Sequence, residues 1–196
     1  MSDRKTKNIS RTDAENAVRT LLGWIGEDPD RAGIRRTPAR VIDSFGDWFA
    51  GYDMDPCALL GNSFQSVKDF DRIVTLVNID FASHCEHHMA PFIGKIHLAY
   101  LPGKRLAGIS KLVRVVEAYT KRLQVQERLT AEIARCINET LEPRGVAVIV
   151  EAQHQCMTTR GVNKANIRMV TDEMLGAFQN DDRIRAEFIH AIRPAG

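Results

Sequence analysis

FASHCEHHMAPFIGKIHLAYLPG, residues 81–103, carries both the strand pattern and the chemistry of this chain. Its second half, IGKIHLAYLP (93–102), alternates: Ile93, Lys95, His97 and Ala99 take one face, and Gly94, Ile96, Leu98 and Tyr100 the other. That two-residue period predicts a strand. Upstream, RIVTLVNID (72–80) is rich in β-branched and apolar residues, including Ile73, Leu76 and Val77, and predicts a second strand. Between them SHCEHHMAP (83–91) reads as a loop dense in imidazole and thiol groups.

Downstream, the turn PGKRLAG (102–108) leads to Ser110, expected as the N-cap of a helix whose stripe is Leu112, Val115, Val116, Tyr119 and Leu123. A second helix carries Leu129, Ile133, Ile137 and Leu141. GVAVIVEAQ (145–153) and NIRMVT (166–171) predict two more strands, and DDRIRAEFIHAI (181–192) a closing helix. The order ββααββ implies an α+β layout, a four-stranded antiparallel sheet covered on one face by two helices. Such a sheet has two open edges, and pairing them between subunits would close a barrel, so a homo-oligomer is expected.

The first sixty residues read as helical. Thr12 with Glu15 matches a capping box ahead of Ala14, Val18, Leu21, Leu22 and Ile25. EDPDRAG (27–33) is a turn. Thr37-Pro38 opens a second helix with proline at its first position and Val41, Ile42, Phe45, Trp48 and Phe49 on its apolar face. GYDMDPCALLGNS (51–63) reads as a loop with some local order. The expected organisation is a tail, frayed over residues 1–10, and a helical appendage over 1–64, followed by a catalytic domain over 65–196.

Composition narrows the classes. The chain has 196 residues, 44% hydrophobic and 27% charged, as a soluble globular protein does. A net charge of +2 gives no global case for nucleic acid or a membrane surface. The longest apolar run, 146–150, is far short of the ~18 residues of a membrane span. The start MSDRKTKNIS is polar, which argues against a secretory signal and for a cytoplasmic, reducing location. There the four cysteines are expected as buried thiols or metal ligands, not disulfides.

Cys85 and His88 have Cys-x-x-His spacing, and HQC (154–156) supplies Cys156 as a third soft ligand. Zinc favours thiolate and imidazole donors, and three protein ligands leave one position for water, the catalytic type of site. The chain has neither paired Cys-x-x-Cys knuckles nor His-Glu-x-x-His, and His84-x-Glu86 lacks the Pro-Cys-x-x-Cys of zinc deaminases. His87 and His154 flank the ligands as acid/base candidates. Cys57 and Cys136 are expected to be inert thiols, and His97 and His190 surface or packing residues. Residues 104–128 hold seven cations against two carboxylates. Ser110, Lys111 and Arg114 at a helix start suit a phosphate, with Arg160 as a further contact. Glu127 stands just inside another helix start, where it either favours the helix dipole or accepts two hydrogen bonds from a base edge such as guanine N1–H and N2–H, assisted by Gln126.

FASHCEHHMAPFIGKIHLAYLPG (81–103), GISKLVRVVEAYTKRLQVQERLT (108–130) and AQHQCMTTRGV (152–162), with MLGAF (174–178), together resemble GTP cyclohydrolase I. The resemblance implies a tunnelling fold (T-fold), with sheets joined around a barrel in a homodecamer of two face-to-face pentamers and active sites at subunit interfaces. It implies zinc-dependent conversion of GTP and water to 7,8-dihydroneopterin triphosphate and formate, the entry to tetrahydrofolate-type pterins. Carried over, Cys85, His88 and Cys156 hold zinc; His87 and His154 are catalytic; and Ser110 lies near the ribose. Gln126 and Glu127 recognise guanine, and Lys111, Arg114 and Arg160 bind the triphosphate. The chain departs from the family at Ile167 and Met169, where Ser or Thr is expected. Two alternatives stay open: a paralogue acting on a related purine nucleotide, and a non-catalytic nucleotide- or metal-binding module on the same scaffold.

Overall fold

The computed structural model describes residues 9–61, 64–65 and 71–193; the tail expected over 1–10 lies, up to residue 8, outside the described residues. The chain divides into two compact units, Met1–Phe49 and Ala50–Gly196.

In the first unit α1 (Arg11–Trp24) packs on α2 (Thr37–Trp48). The capping box is made by Ser10 and Asp13, not by Thr12 and Glu15: the Ser10 hydroxyl accepts from the Asp13 N–H, and the Asp13 carboxylate accepts from the Ser10 N–H. Both pairs have the required spacing, and the helix begins two residues earlier than the Thr12 reading assumes. Pro38 sits at the second position of α2, where its missing N–H costs no hydrogen bond. Arg11 links the helices through Asp43, 2.8 Å away.

The second unit begins with a 3-10 turn (Ala50–Asp53) and α3 (Pro56–Leu60), capped by Asp55, in the stretch read as loop. Then come β1 (Phe64–Gln65), β2 (Val74–Cys85), β3 (Pro91–Leu101), β4 (Arg105–Leu106), α4 (Ile109–Thr120), β5 (Leu123–Gln124) and α5 (Gln126–Leu141). β6 (Gly145–His154), α6 (Gln155–Thr158), β7 (Met169–Gly176), α7 (Ala177–Asn180) and α8 (Asp182–Ile192) complete it. The expected ββααββ frame is present as an α+β sheet. It has five strands, not four, in the order β5-β2-β3-β6-β7. The addition is β5, two residues paired in parallel with His84 and Cys85 as the chain passes from α4 to α5. Two residues are too few to leave a period in the sequence. β1 and β4 form a separate two-stranded ribbon.

One face of the sheet presents Ile96, Leu98, Tyr100, Val146, Val148 and Val150 to the apolar stripes of α4 and α5, including Leu112, Val116, Ile133 and Ile137. On the other face Ala99, Leu101, Ala147 and Ile149 lie under Phe178 of α7 and Phe188 of α8. Residues 96–101 are therefore buried on both faces, and their polar/apolar alternation is weaker than a one-sided sheet requires. Gly94 pairs with Ala152 in this sheet; a Cβ there would meet the Glu151 carbonyl oxygen at 1.8 Å, so only glycine lets β3 and β6 approach.

His97 is a packing residue, 4% exposed. At the β2 bulge the Asn78 N–H, presented by a residue with φ 59°, donates to His97 Nδ1 at 3.3 Å. Nδ1 is thus the acceptor, which leaves the proton on Nε2, facing Glu151 at 3.9 Å. Burial lowers the His97 pKa from 6.5, against the pull of Glu151. The folded state therefore prefers the neutral ring. Its contribution is complete above 6.5, and is lost as pH falls below 6.5 toward and through the lowered folded value. His97→Gln keeps an acceptor for Asn78 but cannot titrate. It is expected to flatten the loss of stability between about pH 6.5 and pH 5, measured by urea denaturation. An equal acid dependence in both proteins would refute this.

Candidate functional site

β2 does not stop where the cysteine-histidine segment begins. It runs through His84 and Cys85, because β3 pairs with it up to His84–Pro91 and β5 supplies a second partner. The segment read as a loop thus contracts to residues 86–90. The turn is tight: the Cys85 N–H donates to the Ala90 carbonyl at 2.9 Å, and the Met89 N–H returns to the Cys85 carbonyl at 2.8 Å. Met89, with φ 53°, takes the left-handed step that brings His88 back over Cys85. Register supplies the third ligand. His84 pairs with Pro91 and Phe92 with His154, so the end of β6 reaches the same end of the sheet, and α6, which starts there at Gln155, carries Cys156.

The donor atoms of Cys85, His88 and Cys156 lie within 4.8 Å of one another. Two sulfurs and an imidazole nitrogen at that separation suit a soft divalent ion and could hold one. Burial, and then the neighbouring Cys85, push the Cys156 thiol up. A cation at this point would compensate the thiolate that burial disfavours at Cys156.

His87 stands beside the donors, its Nδ1 3.7 Å from Cys85 Sγ. Arg160 donates to His88 Nε2 at 2.8 Å. His154 stacks flat on Phe92, with ring centroids 4.7 Å apart and 1° between planes, and its Nε2 is 2.9 Å from Gln126 Oε1. Burial lowers the His154 pKa, and Glu127 opposes that. Glu86 on the turn pairs with Arg128 of α5, which holds the Glu86 carboxyl below its ordinary range.

Eight of the sequence candidates thus share one end of the sheet: Cys85, His87, His88, Gln126, His154, Cys156 and Arg160, with Glu127 close enough to act on His154. Ser110, Lys111 and Arg114 do not join them. The Ala107 N–H donates to the Tyr100 hydroxyl at 3.1 Å, which fixes the start of α4 near Tyr100. Tyr100 pairs with Val74 and Val146, the ends of β2 and β6 remote from Cys85 and His154. The eight residue steps from Phe92 to Tyr100 span roughly 26 Å at ~3.3 Å each. The N-cap of α4 is Gly108, and Ser110 lies inside the first turn, exposed with Arg114. Glycine at 108 meets the extended cap geometry without a side-chain bond, so the serine is free of a capping role.

Two contributors were not singled out from the sequence: Phe92, an apparent core residue, and Thr171, which accepts from Gln126 Nε2 at 3.2 Å. The hydroxyl of Thr171, two residues beyond Met169 on a strand facing His154's support, was the available signal. The remaining cysteines are apart from the site. Cys57 and Cys136 are free thiols with sulfurs 3.0 Å apart, and burial pushes Cys136 up to about 12.

Among the described residues no helix is long and apolar enough to cross a membrane. Comparison with known proteins gives one family model, GTP cyclohydrolase I, matching residues 14–193. GTP cyclohydrolase 1 of Maricaulis maris (strain MCS10) is 51% identical over 186 residues, 95% of this chain and 91% of that protein. The Sinorhizobium fredii protein of the same name is 50% identical over 94% of this chain and 90% of its own length, and that of Hyphomonas neptunium is 49% identical over 92% and 88%. A solved structure, the archaeosine synthase QueF-Like in the apo form, covers 53% of this chain and 93% of its own at 17% identity, with a TM-score of 0.42. Identity near one half, sustained over nearly the whole chain, together with a family model matching residues 14–193, places this T-fold protein in the GTP cyclohydrolase I family.

Proposed function

We propose that this enzyme hydrolyses and rearranges GTP to 7,8-dihydroneopterin triphosphate and formate, with zinc held by Cys85, His88 and Cys156. What supports this most is the convergence of those three soft donors within 4.8 Å, beside two histidines, in a chain matching the family from residue 14 to 193. Zinc bound there would supply a polarised, acidified solvent molecule. Everything else falls to the chain's own groups. Glu127 accepts two hydrogen bonds from the guanine edge. Lys111, Arg114 and Arg160 neutralise the triphosphate, and Ser110 meets the ribose as it rearranges. His87 and His154 exchange protons with the opening imidazole ring. Phosphate binding remote from the reacting carbon keeps successive intermediates in place, an orientation effect.

The metal end and the Ser110–Lys111–Arg114 end are a sheet's length apart in one chain, so one chain cannot surround one GTP with both. We propose a homo-oligomer, a decamer in the family's pattern, in which each site takes its metal end from one subunit and its α4 start from another. A cytoplasmic location suits ligands that are thiols, since a reducing compartment keeps them unpaired.

Formate released from GTP by zinc-replete protein, with the pterin product identified by its ultraviolet spectrum, tests the reaction; no product under those conditions would reject it. Glu127→Gln replaces one accepting oxygen by a donor facing guanine donors. It is expected to cut kcat/KM for GTP by roughly 100-fold, and that for ITP, which lacks the N2 amine, by less. Unchanged discrimination between GTP and ITP would leave Glu127 with only its helix-dipole role.

A further inference from the structure

Gln126 is 1% exposed at the first position of α5, and its side-chain amide is fully engaged inside the chain. Nε2 lies 3.0 Å from the Val150 carbonyl, 3.1 Å from the Met169 carbonyl and 3.2 Å from Thr171 Oγ1. Carbonyl oxygens only accept, so the amide must turn its nitrogen toward β6 and β7. The opposite orientation would set Oε1 against two carbonyl oxygens. The Thr171 hydroxyl is oriented in the same sense. Thr130 Oγ1 gives its proton to the Gln126 carbonyl at 2.8 Å, so in the 2.7 Å contact between the two hydroxyls Thr171 is the donor. Its lone pairs then face Gln126 Nε2. With nitrogen inward, Gln126 Oε1 points at His154 Nε2, 2.9 Å away, and an amide oxygen can only accept. The stack on Phe92 fixes the plane of the same ring.

We propose that Gln126, supported by Thr171 of β7, is a positioning residue that holds His154 as the Nε2–H tautomer and so leaves Nδ1 as the nitrogen open to substrate. The guanine-edge role implied for Gln126 by family resemblance would require the same amide to abandon four internal contacts. The proposal rests on His154 being catalytic, as inferred above. Gln126 Oε1 thereby sets which ring nitrogen carries the proton, and the stack on Phe92 sets how the ring is turned.

The test uses zinc-loaded full-length protein labelled with 15N-histidine. Its solid-state 15N spectrum separates protonated from bare ring nitrogens, and loss of one set of signals in His154→Ala assigns that residue among the six histidines. Wild type is expected to show Nε2–H at His154. Gln126→Met, similar in shape but with no acceptor oxygen, is expected to mix the tautomers. It should lower kcat roughly 10- to 100-fold while leaving KM for GTP and the GTP/ITP preference unchanged. Thr171→Val should move the same way by less, and Thr171→Ser should restore wild-type behaviour; this pair decides the matter if Gln126→Met does not fold. A raised KM or altered GTP/ITP preference in Gln126→Met, with the His154 signals unchanged, overturns the proposal in favour of a guanine contact. An unchanged kcat in His154→Ala would instead sink the catalytic role of His154, and the 15N spectrum would still decide the tautomer.

Discussion

Cys156→Ser is expected to empty the metal site and stop turnover without unfolding the chain. In the proposed site three donors would hold the ion, and a hydroxyl in place of a thiolate removes one of the two sulfur donors. Serine is not ionised near neutral pH, so the remaining pair must bind with one negative charge fewer. Zinc content should fall from near one per chain toward zero after dialysis. Formate release from GTP should fall on the order of a thousandfold, since the ion contributes several kcal/mol of transition-state stabilisation at about 1.4 kcal/mol per tenfold. The fold should survive. β6 is held along its whole length by β3 and as far as Ala152 by β7, and Cys156 lies beyond its end. Far-ultraviolet dichroism and the urea midpoint should therefore stay close to wild type. Cys57→Ser, at a thiol remote from the site, is the control and should retain both zinc and turnover. A Cys156→Ser protein that keeps a full complement of zinc, or more than a tenth of wild-type formate release, would remove Cys156 from the ligand set.

The ligand cluster was legible because its information is local and chemical. Cys85 and His88 are three residues apart, and Cys156 follows a strand whose apolar run, Val146 to Val150, could be read directly. The two-helix cover was legible for a similar reason: Leu112, Val115, Val116, Leu129, Ile133 and Ile137 recur at helical spacing and are all buried. What could not be read depends on contacts between distant segments. β5 is a strand only because His84 and Cys85 happen to lie beside Leu123 and Gln124. Ser110 satisfies the residue preference of a cap, yet the turn of chain that Ala107 anchors to Tyr100 starts the helix at Ile109, behind Gly108. Gln126 and Glu127 are adjacent in sequence and looked alike in purpose. A helix places neighbours about 100° apart, so one is buried against β6 and β7 and the other is exposed near His154. The largest gap concerned distance. Cys85 and Lys111 are 26 positions apart in sequence, while α4 is oriented so that its start, not its end, carries the cations, and its end returns to the metal side through β5.

That orientation has a consequence that can be measured by mixing two dead proteins. Cys85→Ala lacks a metal ligand but keeps Lys111 and Arg114. A Lys111→Ala, Arg114→Ala double variant lacks the phosphate cations but keeps the metal end. Each alone is expected to release formate at less than about a hundredth of the wild-type rate, since removing either set costs several kcal/mol. Co-expressed at equal levels, they assemble mixed oligomers. A site works when its metal end comes from the double variant and its α4 start from Cys85→Ala. With random assembly, each choice has a chance of one half, so about a quarter of the sites are complete. Activity should rise to roughly a quarter of wild type, and zinc content to about half, because every double-variant chain still binds its ion. If each site were built within one chain, every site would carry a defect and mixing would restore nothing. Separately purified variants combined without subunit exchange should likewise remain inactive, which ties any recovery to chains meeting across an interface.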